Sequence, residues 1–288
     1  IAGIPTEVQL ASEFRYRNEP LDEGTVVIAI SQSGETIDTL VALRKAKQHK
    51  LLALGIVNVV GSSIARETEA GVYNHAGPEI GVASTKAFLS QLGVLTLAAL
   101  YFADRSNGEH LAIMRELEAI PDKIDSILKR KGEIEKLATK YMKYSSALFL
   151  GRGYNYPVAL EGALKLKEIS YIHAEGYSAG EMKHGPIALI TPDFPTIAIA
   201  PKNALFDKMA SSIQEVRARG GKVLGIGTEG DTELKGLCDD VFLLPKTLEP
   251  LEAFLNVVPL QLFAYYVGTK KGYNGDRPRN LAKSVTVE

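Results

Sequence analysis

The sequence has little cysteine, no tryptophan, no long uninterrupted apolar run and almost no net charge. Its single cysteine, Cys238, rules out an intrachain disulfide and a zinc site built on cysteines, which favours a reducing compartment. The apolar run from Leu89 to Ala99 is interrupted by Gln91 and Gly93 and is too short to cross a bilayer. A net charge of −1 over 288 residues provides no positive field for nucleic acid or an acidic membrane. We therefore expect a cytoplasmic protein with neither nucleic-acid nor membrane partners.

Short β-branched, apolar runs alternate with helical patterns along most of the chain. Strands are predicted at 25–30 and 51–57, with a helix at about 36–48 between them. The same order recurs later, with strands at 196–200 and 222–226 on either side of another helix. Continuous apolar strands such as VVIAI are typical of parallel sheets with helices on both faces. The predicted fold class is therefore doubly wound α/β.

The two stretches also match residue by residue, which indicates a duplication. Ile28-Ala29-Ile30 recurs 169 positions later as Ile197-Ala198-Ile199, and Leu54-Gly55-Ile56 recurs 170 positions later as Leu224-Gly225-Ile226. The second copy begins with one more strand, at 147–150, and a helix, whose partners in the first copy would precede the first residue. Either the first copy lacks this βα unit or the chain is a piece of a longer one. We favour the longer chain, because a sheet without an early strand exposes unpaired edges.

The repeat predicts two tandem flavodoxin-like domains. The expected boundaries are 1–108 for the first domain without its initial βα unit, 109–145 for a helical connector, 146–270 for the second domain and 271–288 for a C-terminal tail. The tail mixes apolar and basic residues and follows a proline, so we expect it to fold over the active site.

A cluster of hydroxyl residues follows the first predicted strand and opens a helix. In SQSGET, at 31–36, Ser31, Ser33 and Thr36 can donate hydroxyl hydrogens, and Gly34 lets the backbone approach a ligand closely. Free amides at a helix N-terminus attract a phosphate. An ordinary N-cap explains one such residue, whereas the cluster favours a phosphate site. The second copy has PKNALF at the matching position, so we predict one phosphate site per chain.

Two further segments carry candidate chemistry, each with a structural alternative. In GVAST, Ser84 either caps the next helix or joins Val82 in contacting sugar hydroxyls. Glu161, Lys165 and Glu168 share one helical face at spacings of four and three. That spacing fits a solvated salt-bridge stripe, and it also fits a general base that moves a proton between adjacent carbons.

A histidine and a lysine have settings that suit proton transfer or nucleophilic attack. His184 precedes a Gly-Pro turn in which Pro186 suits the start of a helix, so the imidazole is predicted to be reachable. A purely structural histidine is the alternative. The C-terminal tail carries Lys283 four residues after Arg279. Either the tail is solvated, or neighbouring cations disfavour the ammonium and the free amine attacks a carbonyl to form a Schiff base.

Together these segments resemble the sugar isomerase domain pair of the glutamine–fructose-6-phosphate aminotransferases, the glucosamine-6-phosphate synthases. The resemblance spans essentially the whole chain. It is carried by SQSGET at 31–36, EIGVASTKAF at 79–88, ALEGALKLKEISYIHAE at 159–175, KHGP at 183–186 and PRNLAKSVTVE at 278–288. SQSGE marks only the broad sugar isomerase superfamily, whereas NLAKSVTVE together with LKLKEISYIHAE is specific to the synthase.

The resemblance implies a role for each candidate residue. The residues that would bind fructose 6-phosphate, glucose 6-phosphate or glucosamine 6-phosphate are Ser31, Gln32, Ser33, Thr36, Val82 and Ser84. Glu168 would move the proton between carbon 1 and carbon 2, and Lys283 would form the Schiff base. His184 would open the sugar ring, with Lys165 and Arg279 assisting nearby. No cofactor and no metal is implied.

The resemblance also implies partners. It implies a homodimer in which His184 serves the neighbouring subunit, and a glutaminase domain that supplies ammonia. That domain is outside these 288 residues, so they are not expected to hydrolyse glutamine. Two rival functions stay open, namely another sugar-phosphate isomerase or deglycase of the superfamily and a non-catalytic sugar-phosphate sensor. Lys283 favours the synthase over the first rival, and Glu168 with His184 favours it over the second.

Overall fold

A computed structural model describes residues 1–18, 20–103 and 108–283, which form two compact units. Of the described residues, 1–103 and 279–283 belong to the first unit and 108–278 belong to the second. The helices of the expected connector are thus part of the second unit, and the expected tail is divided between the two. Residues 284–288 of that tail lie outside the described part of the chain.

The first unit is built on a small parallel sheet. Strands β1 (Val26–Ser31), β2 (Leu52–Val57) and β3 (Ala70–Tyr73) pair in the order β1-β2-β3. The helices are α1 (Ala11–Phe14), α2 (Ile37–Gln48), α3 (Ser63–Glu67) and α4 (Lys86–Phe102). Leu43 of α2 and Ile64 of α3 pack against Ala53 of β2, and all three are fully buried. This core holds the helices that follow β1 and β2 against one face of the sheet.

The second unit has a complete five-stranded parallel sheet. Its strands are β4 (Ser146–Gly151), β5 (His173–Ser178), β6 (Thr196–Ile199), β7 (Val223–Thr228) and β8 (Asp240–Leu244), in the order β5-β4-β6-β7-β8. Its helices are α5 (Gly108–Lys129), α6 (Lys131–Tyr141), α7 (Asn155–Ser170), α8 (Phe206–Arg217), α9 (Thr232–Leu237) and α10 (Glu252–Lys270). This is the flavodoxin-like order, in which the connections reverse direction between β4 and β6. The predicted doubly wound α/β class is confirmed.

The duplication is visible in the order of the elements. The series β6-α8-β7-α9-β8-α10 repeats β1-α2-β2-α3-β3-α4, while β4, α7 and β5 have no described counterpart in the first unit. Ile197 is 1% exposed and lines a small apolar cavity together with Leu166 of α7 and Phe263 of α10. Its repeat partner Ile28 is 41% exposed. Among the described residues the first copy therefore has no initial βα unit, as predicted, and one apolar face of β1 is left uncovered.

Two apolar features of the sequence belong to the core. The segment Glu249–Lys270, which contains α10, is long and apolar enough to cross a membrane, but 78% of its apolar window is buried inside the protein. Cys238 is buried beside Gly225 of β7. Burial raises the pKa of the Cys238 thiol to about 12, so the side chain stays protonated and serves as a small core residue.

Candidate functional site

The SQSGET loop joins β1 to α2 and gathers its hydroxyl groups at the start of the helix. Ser31 ends β1 and is buried, and its Oγ accepts a hydrogen bond from the Gly34 amide at 3.0 Å. The same Oγ lies 3.2 Å from Oγ1 of Thr36. Thr36 occupies the N-cap position of α2, but its side chain makes no capping hydrogen bond. The simple N-cap explanation therefore fails for Thr36, and the hydroxyls face one another at the carboxyl edge of the sheet.

The loop is fixed to α3 by a glycine and a glutamate. Gly34 has φ +67°, and a Cβ at this position would lie 2.0 Å from Oγ of Ser62. The Glu35 carboxylate accepts hydrogen bonds from the amide and the hydroxyl of Ser63, at 2.8 and 2.7 Å. These bonds lower the pKa of Glu35. Glu35 therefore holds the loop in place from the side of α3, a role that sequence reasoning missed.

Asn58, immediately after β2, joins the three loops at the carboxyl edge of the first sheet. Its amide N–H donates to the Gln32 carbonyl at 3.2 Å. Its side chain donates to the Gly77 carbonyl and accepts from the Ala76 amide, both at 2.9 Å. Sequence reasoning also missed this residue, although an asparagine directly after a predicted strand is a recognisable signal. The result is one connected surface formed by the loops after β1, β2 and β3.

The turn before α4 is organised by Glu79. Its side chain is 4% exposed and accepts hydrogen bonds from the Ser84 hydroxyl at 3.1 Å and the Thr85 amide at 2.7 Å. Thr85, not Ser84, is the N-cap residue of α4, so the capping explanation of Ser84 is wrong. Val82 lies in the same turn and is half-buried. Glu79 was missed from the sequence, because its contacts depend on how the turn folds back on itself.

Lys283 belongs to this turn as well. Its Nζ donates to the Gly81 carbonyl and lies 3.9 Å from Oε2 of Glu79. The sequence led us to expect neighbouring cations, whereas these contacts are a carbonyl and a carboxylate, which hold the lysine as a hydrogen-bond donor. Arg279, four residues earlier, is exposed and lies in the same unit.

The second unit contains a largely buried cluster of charges on α7. Lys165 is 2% exposed, and its Nζ lies 2.6 Å from Oε2 of Glu168 and 3.5 Å from Oε1 of Glu161. The helix lies close to α10 because it carries Gly162, where a Cβ would come within 2.6 Å of Cδ1 of Leu260. A solvated salt-bridge stripe is therefore excluded. The cluster is a lysine enclosed by two carboxylates.

His184 is exposed, as predicted, at the end of the short 3₁₀ helix Glu181–His184. Fully buried Met182 anchors this turn to the core on the α8 face of the second sheet, and Pro186 begins the next 3₁₀ helix. By contrast, Leu166 of α7 packs against the opposite face. Within one chain, the sheet of the second unit therefore separates the turn of His184 from the helix of Glu168.

Comparisons with known proteins agree with this architecture. The chain matches the SIS domain model over residues 1–101 and 140–269. Over its full length it is 53% identical to the glutamine–fructose-6-phosphate aminotransferase [isomerizing] of Aquifex aeolicus and 56% identical to that of Chlorobaculum tepidum. It corresponds to 48% and 47% of those proteins. The chain thus spans about half the length of the curated relatives it matches.

Solved structures give the same result. The C-terminal domain of glucosamine-fructose-6-phosphate aminotransferase from Francisella tularensis is 40% identical and superposes with a TM-score of 0.91, covering 96% of this chain and 80% of that one. A glucosamine-6-phosphate deaminase from Thermotoga maritima is 25% identical, with a TM-score of 0.78 and the same coverage. With the two sheets, the repeated element order and the matched residues taken together, the chain belongs to the SIS domain family.

Proposed function

We propose that this chain is the isomerase half of a cytoplasmic glutamine–fructose-6-phosphate aminotransferase. It would convert fructose 6-phosphate and ammonia derived from glutamine to glucosamine 6-phosphate. The observation that carries the proposal is the identity of 53–56% to such enzymes, which extends over the entire chain. The relatives' additional length leaves room for a glutaminase domain, which would supply the ammonia.

The first unit would hold the substrate. The phosphate would bind the SQSGET loop, where Ser31, Ser33 and Thr36 provide hydroxyls and the start of α2 provides amides and the positive end of the helix dipole. Val82 and Ser84, in the turn before α4, would contact the sugar. Support comes from the hydrogen bonds that fix this edge of the sheet, since a fixed array of donors favours an anion without reorganisation.

The proton transfer would be carried out from α7. Glu168 would take a proton from carbon 1 and return it at carbon 2, which changes the ketose imine into the amino aldose. Lys165, 2.6 Å from the Glu168 carboxylate, would keep that carboxylate oriented and help stabilise negative charge on the substrate. The largely buried position of the cluster supports this role, because a surface stripe would be surrounded by water.

After the ring has opened, the Lys283 amine would attack the carbonyl at carbon 2 and form a Schiff base, and the carbonyl oxygen would leave as water. Attack requires the lysine to exchange the Gly81 carbonyl for the substrate and to lose its proton, with Arg279 assisting. Ammonia would then displace the lysine and leave its nitrogen on carbon 2. No metal is needed in this sequence of steps, since the imine itself withdraws electrons from carbon 1.

Ring opening would be catalysed by His184 of the neighbouring subunit in a homodimer. The separation of His184 from α7 by the second sheet supports this proposal, because the two residues do not share a face of their own unit. An inactive His184→Ala chain mixed with an inactive Lys283→Ala chain is expected to regain activity, since a mixed dimer contains one intact site. No recovery after verified subunit exchange would contradict the shared site.

The proposal is tested by proton exchange at carbon 1 of fructose 6-phosphate. The full-length protein, in deuterium oxide and without glutamine, is expected to exchange this proton, as followed by NMR. A Glu168→Gln variant should bind the sugar and exchange it at least a hundredfold more slowly. Binding without exchange in the wild-type protein would identify a sugar-phosphate sensor instead.

A second candidate is a sugar-phosphate isomerase or deaminase without amide transfer. The likeness to the Thermotoga maritima glucosamine-6-phosphate deaminase favours keeping this candidate. The two are separated by supplying glutamine to the full-length protein. The synthase accumulates glucosamine 6-phosphate from fructose 6-phosphate and glutamine, whereas a deaminase releases ammonia from glucosamine 6-phosphate and ignores glutamine.

A further inference from the structure

A buried polar cluster lies at the carboxyl edge of the second sheet. Glu252, the first residue of α10, is 6% exposed. Its Oε2 accepts hydrogen bonds from Nδ2 of Asn155 at 2.9 Å and from Nδ2 of Asn203 at 2.8 Å. Asn256, one turn further along α10, donates from Nδ2 to Oδ1 of Asn155 at 2.6 Å. Both polar atoms of the Asn155 side chain are therefore bound by α10.

This cluster joins three elements at the point where the sheet connections reverse. Asn155 is the first residue of α7, Asn203 lies in the loop after β6, and Glu252 and Asn256 belong to α10. The hydrogen bonds thus connect α10 with the two elements that flank the cleft between β4 and β6, namely the start of α7 and the loop after β6. In folds of this type, that cleft is where a ligand binds.

The duplication shows how this place differs between the two copies. With the offset of 169 residues, Asn203 of the second copy corresponds in sequence to Gly34 of the SQSGET loop in the first copy. The second copy has no hydroxyl cluster at this place. Instead, the side-chain amides of Asn155 and Asn203 donate to the carboxylate of Glu252. Burying an acid is unfavourable unless its oxygens are satisfied, so an apolar residue would suit a purely structural contact better.

We propose that Glu252 is a positioning residue that fixes the start of α7 and thereby sets the location of Glu168. The helix is a rigid rod with 1.5 Å rise per residue, so rotation or translation at Asn155 is carried to Lys165 and Glu168. A displacement of about 1 Å between reacting groups is enough to slow a reaction roughly a hundredfold. This inference rests on the proposed role of Glu168 in proton transfer.

The test uses carbon-1 proton exchange by the full-length protein. Glu252→Ala and Asn155→Ala are each expected to lower the rate constant of exchange by roughly tenfold to a hundredfold. The Michaelis constant for fructose 6-phosphate should change less than about threefold, since the SQSGET loop is untouched. The double variant should be no slower than the worse single variant, because both substitutions break the same link.

Two controls separate positioning from general damage. Glu252→Gln keeps an acceptor oxygen and is expected to restore most of the rate, while Glu249→Ala, in the short 3₁₀ helix Glu249–Leu251 just before α10, should leave rate and melting temperature unchanged. An exchange rate of Glu252→Ala equal to wild type would overturn the proposal. So would equal losses in Glu252→Ala and Glu252→Gln, or additive losses in the double variant. Absence of exchange in the wild-type protein would instead refute the proposed function.

Discussion

The ammonium of Lys165 lies 2.6 Å from the carboxylate of Glu168, one turn further along α7, in a setting where the lysine is 2% exposed. A second carboxylate, from Glu161, lies 3.5 Å away on the other side. The three charges depend on one another, because either carboxylate would be poorly solvated without the cation between them. The same cluster therefore contributes to stability and to the proposed chemistry.

Replacing Lys165 with Met is expected to destabilise the second unit. Removal of one partner from a buried ion pair leaves uncompensated charge and costs about 3 kcal/mol. For a unit of this size, the melting temperature should fall by roughly 6–12 °C. Lys167→Met is the matched control, since Lys167 is exposed on the same helix and should change the melting temperature by less than about 2 °C. Equal shifts in the two variants would contradict the cluster's contribution.

Gly34 provides a test of the phosphate loop. Ala at this position meets both a positive φ and a contact with Ser62, whereas Gly61 has φ +71° and nothing within 4 Å of its Cβ position. Gly61→Ala therefore measures the backbone strain alone, about 1–2 kcal/mol. Gly34→Ala is expected to lower the melting temperature further and to weaken fructose 6-phosphate binding by at least tenfold in calorimetry. Equal affinities in the two variants would place the phosphate elsewhere.

The fold was predictable from the sequence because its signals are local. Strands β1, β2, β4, β6 and β7 are apolar runs bounded by turn residues, and the repeat shows which βα unit has no partner in the first copy. Strand β5, with the sequence HAEGYS, has no such pattern and was not predicted. The contacts of Glu35 and Glu79 were not predictable, because Glu35 binds Ser63 in a separate turn and Glu79 binds Ser84 and Thr85 only after its own turn folds back. The relation of His184 to Glu168 also depends on the fold, since only the packing of Met182 and Leu166 shows that the turn and the helix occupy opposite faces of the sheet.

Glu252 gives a prediction about pH. Burial raises the pKa of the Glu252 carboxyl above its ordinary value, so the folded protein binds this proton more tightly than the unfolded chain does. The stability that protonation provides is therefore lost as the pH rises from about 4.5 through the raised pKa. Glu252→Gln removes this titration. We therefore expect the difference in melting temperature, Glu252→Gln minus wild type, to increase as the pH rises through this window. A difference that stays constant with pH would contradict the raised pKa of Glu252.

Lys283 offers the sharpest test of the proposed reaction, because a Schiff base can be trapped. Borohydride reduces the imine to a secondary amine, so treatment of the full-length protein with fructose 6-phosphate and borohydride should add a hexose phosphate to the C-terminal peptide, visible by mass spectrometry. The lysine must first leave the Gly81 carbonyl, which it contacts within its own unit.

Lys283→Arg should abolish the adduct, since a guanidinium stays protonated and cannot attack carbon 2. Lys50→Arg, at an exposed lysine of the same unit, is the control and should leave the yield of adduct unchanged. Glu168→Gln should still form the adduct, because the imine precedes proton transfer, and this separates the two steps. An adduct on Lys165, or none in a protein that still produces glucosamine 6-phosphate, would show that another group carries the sugar.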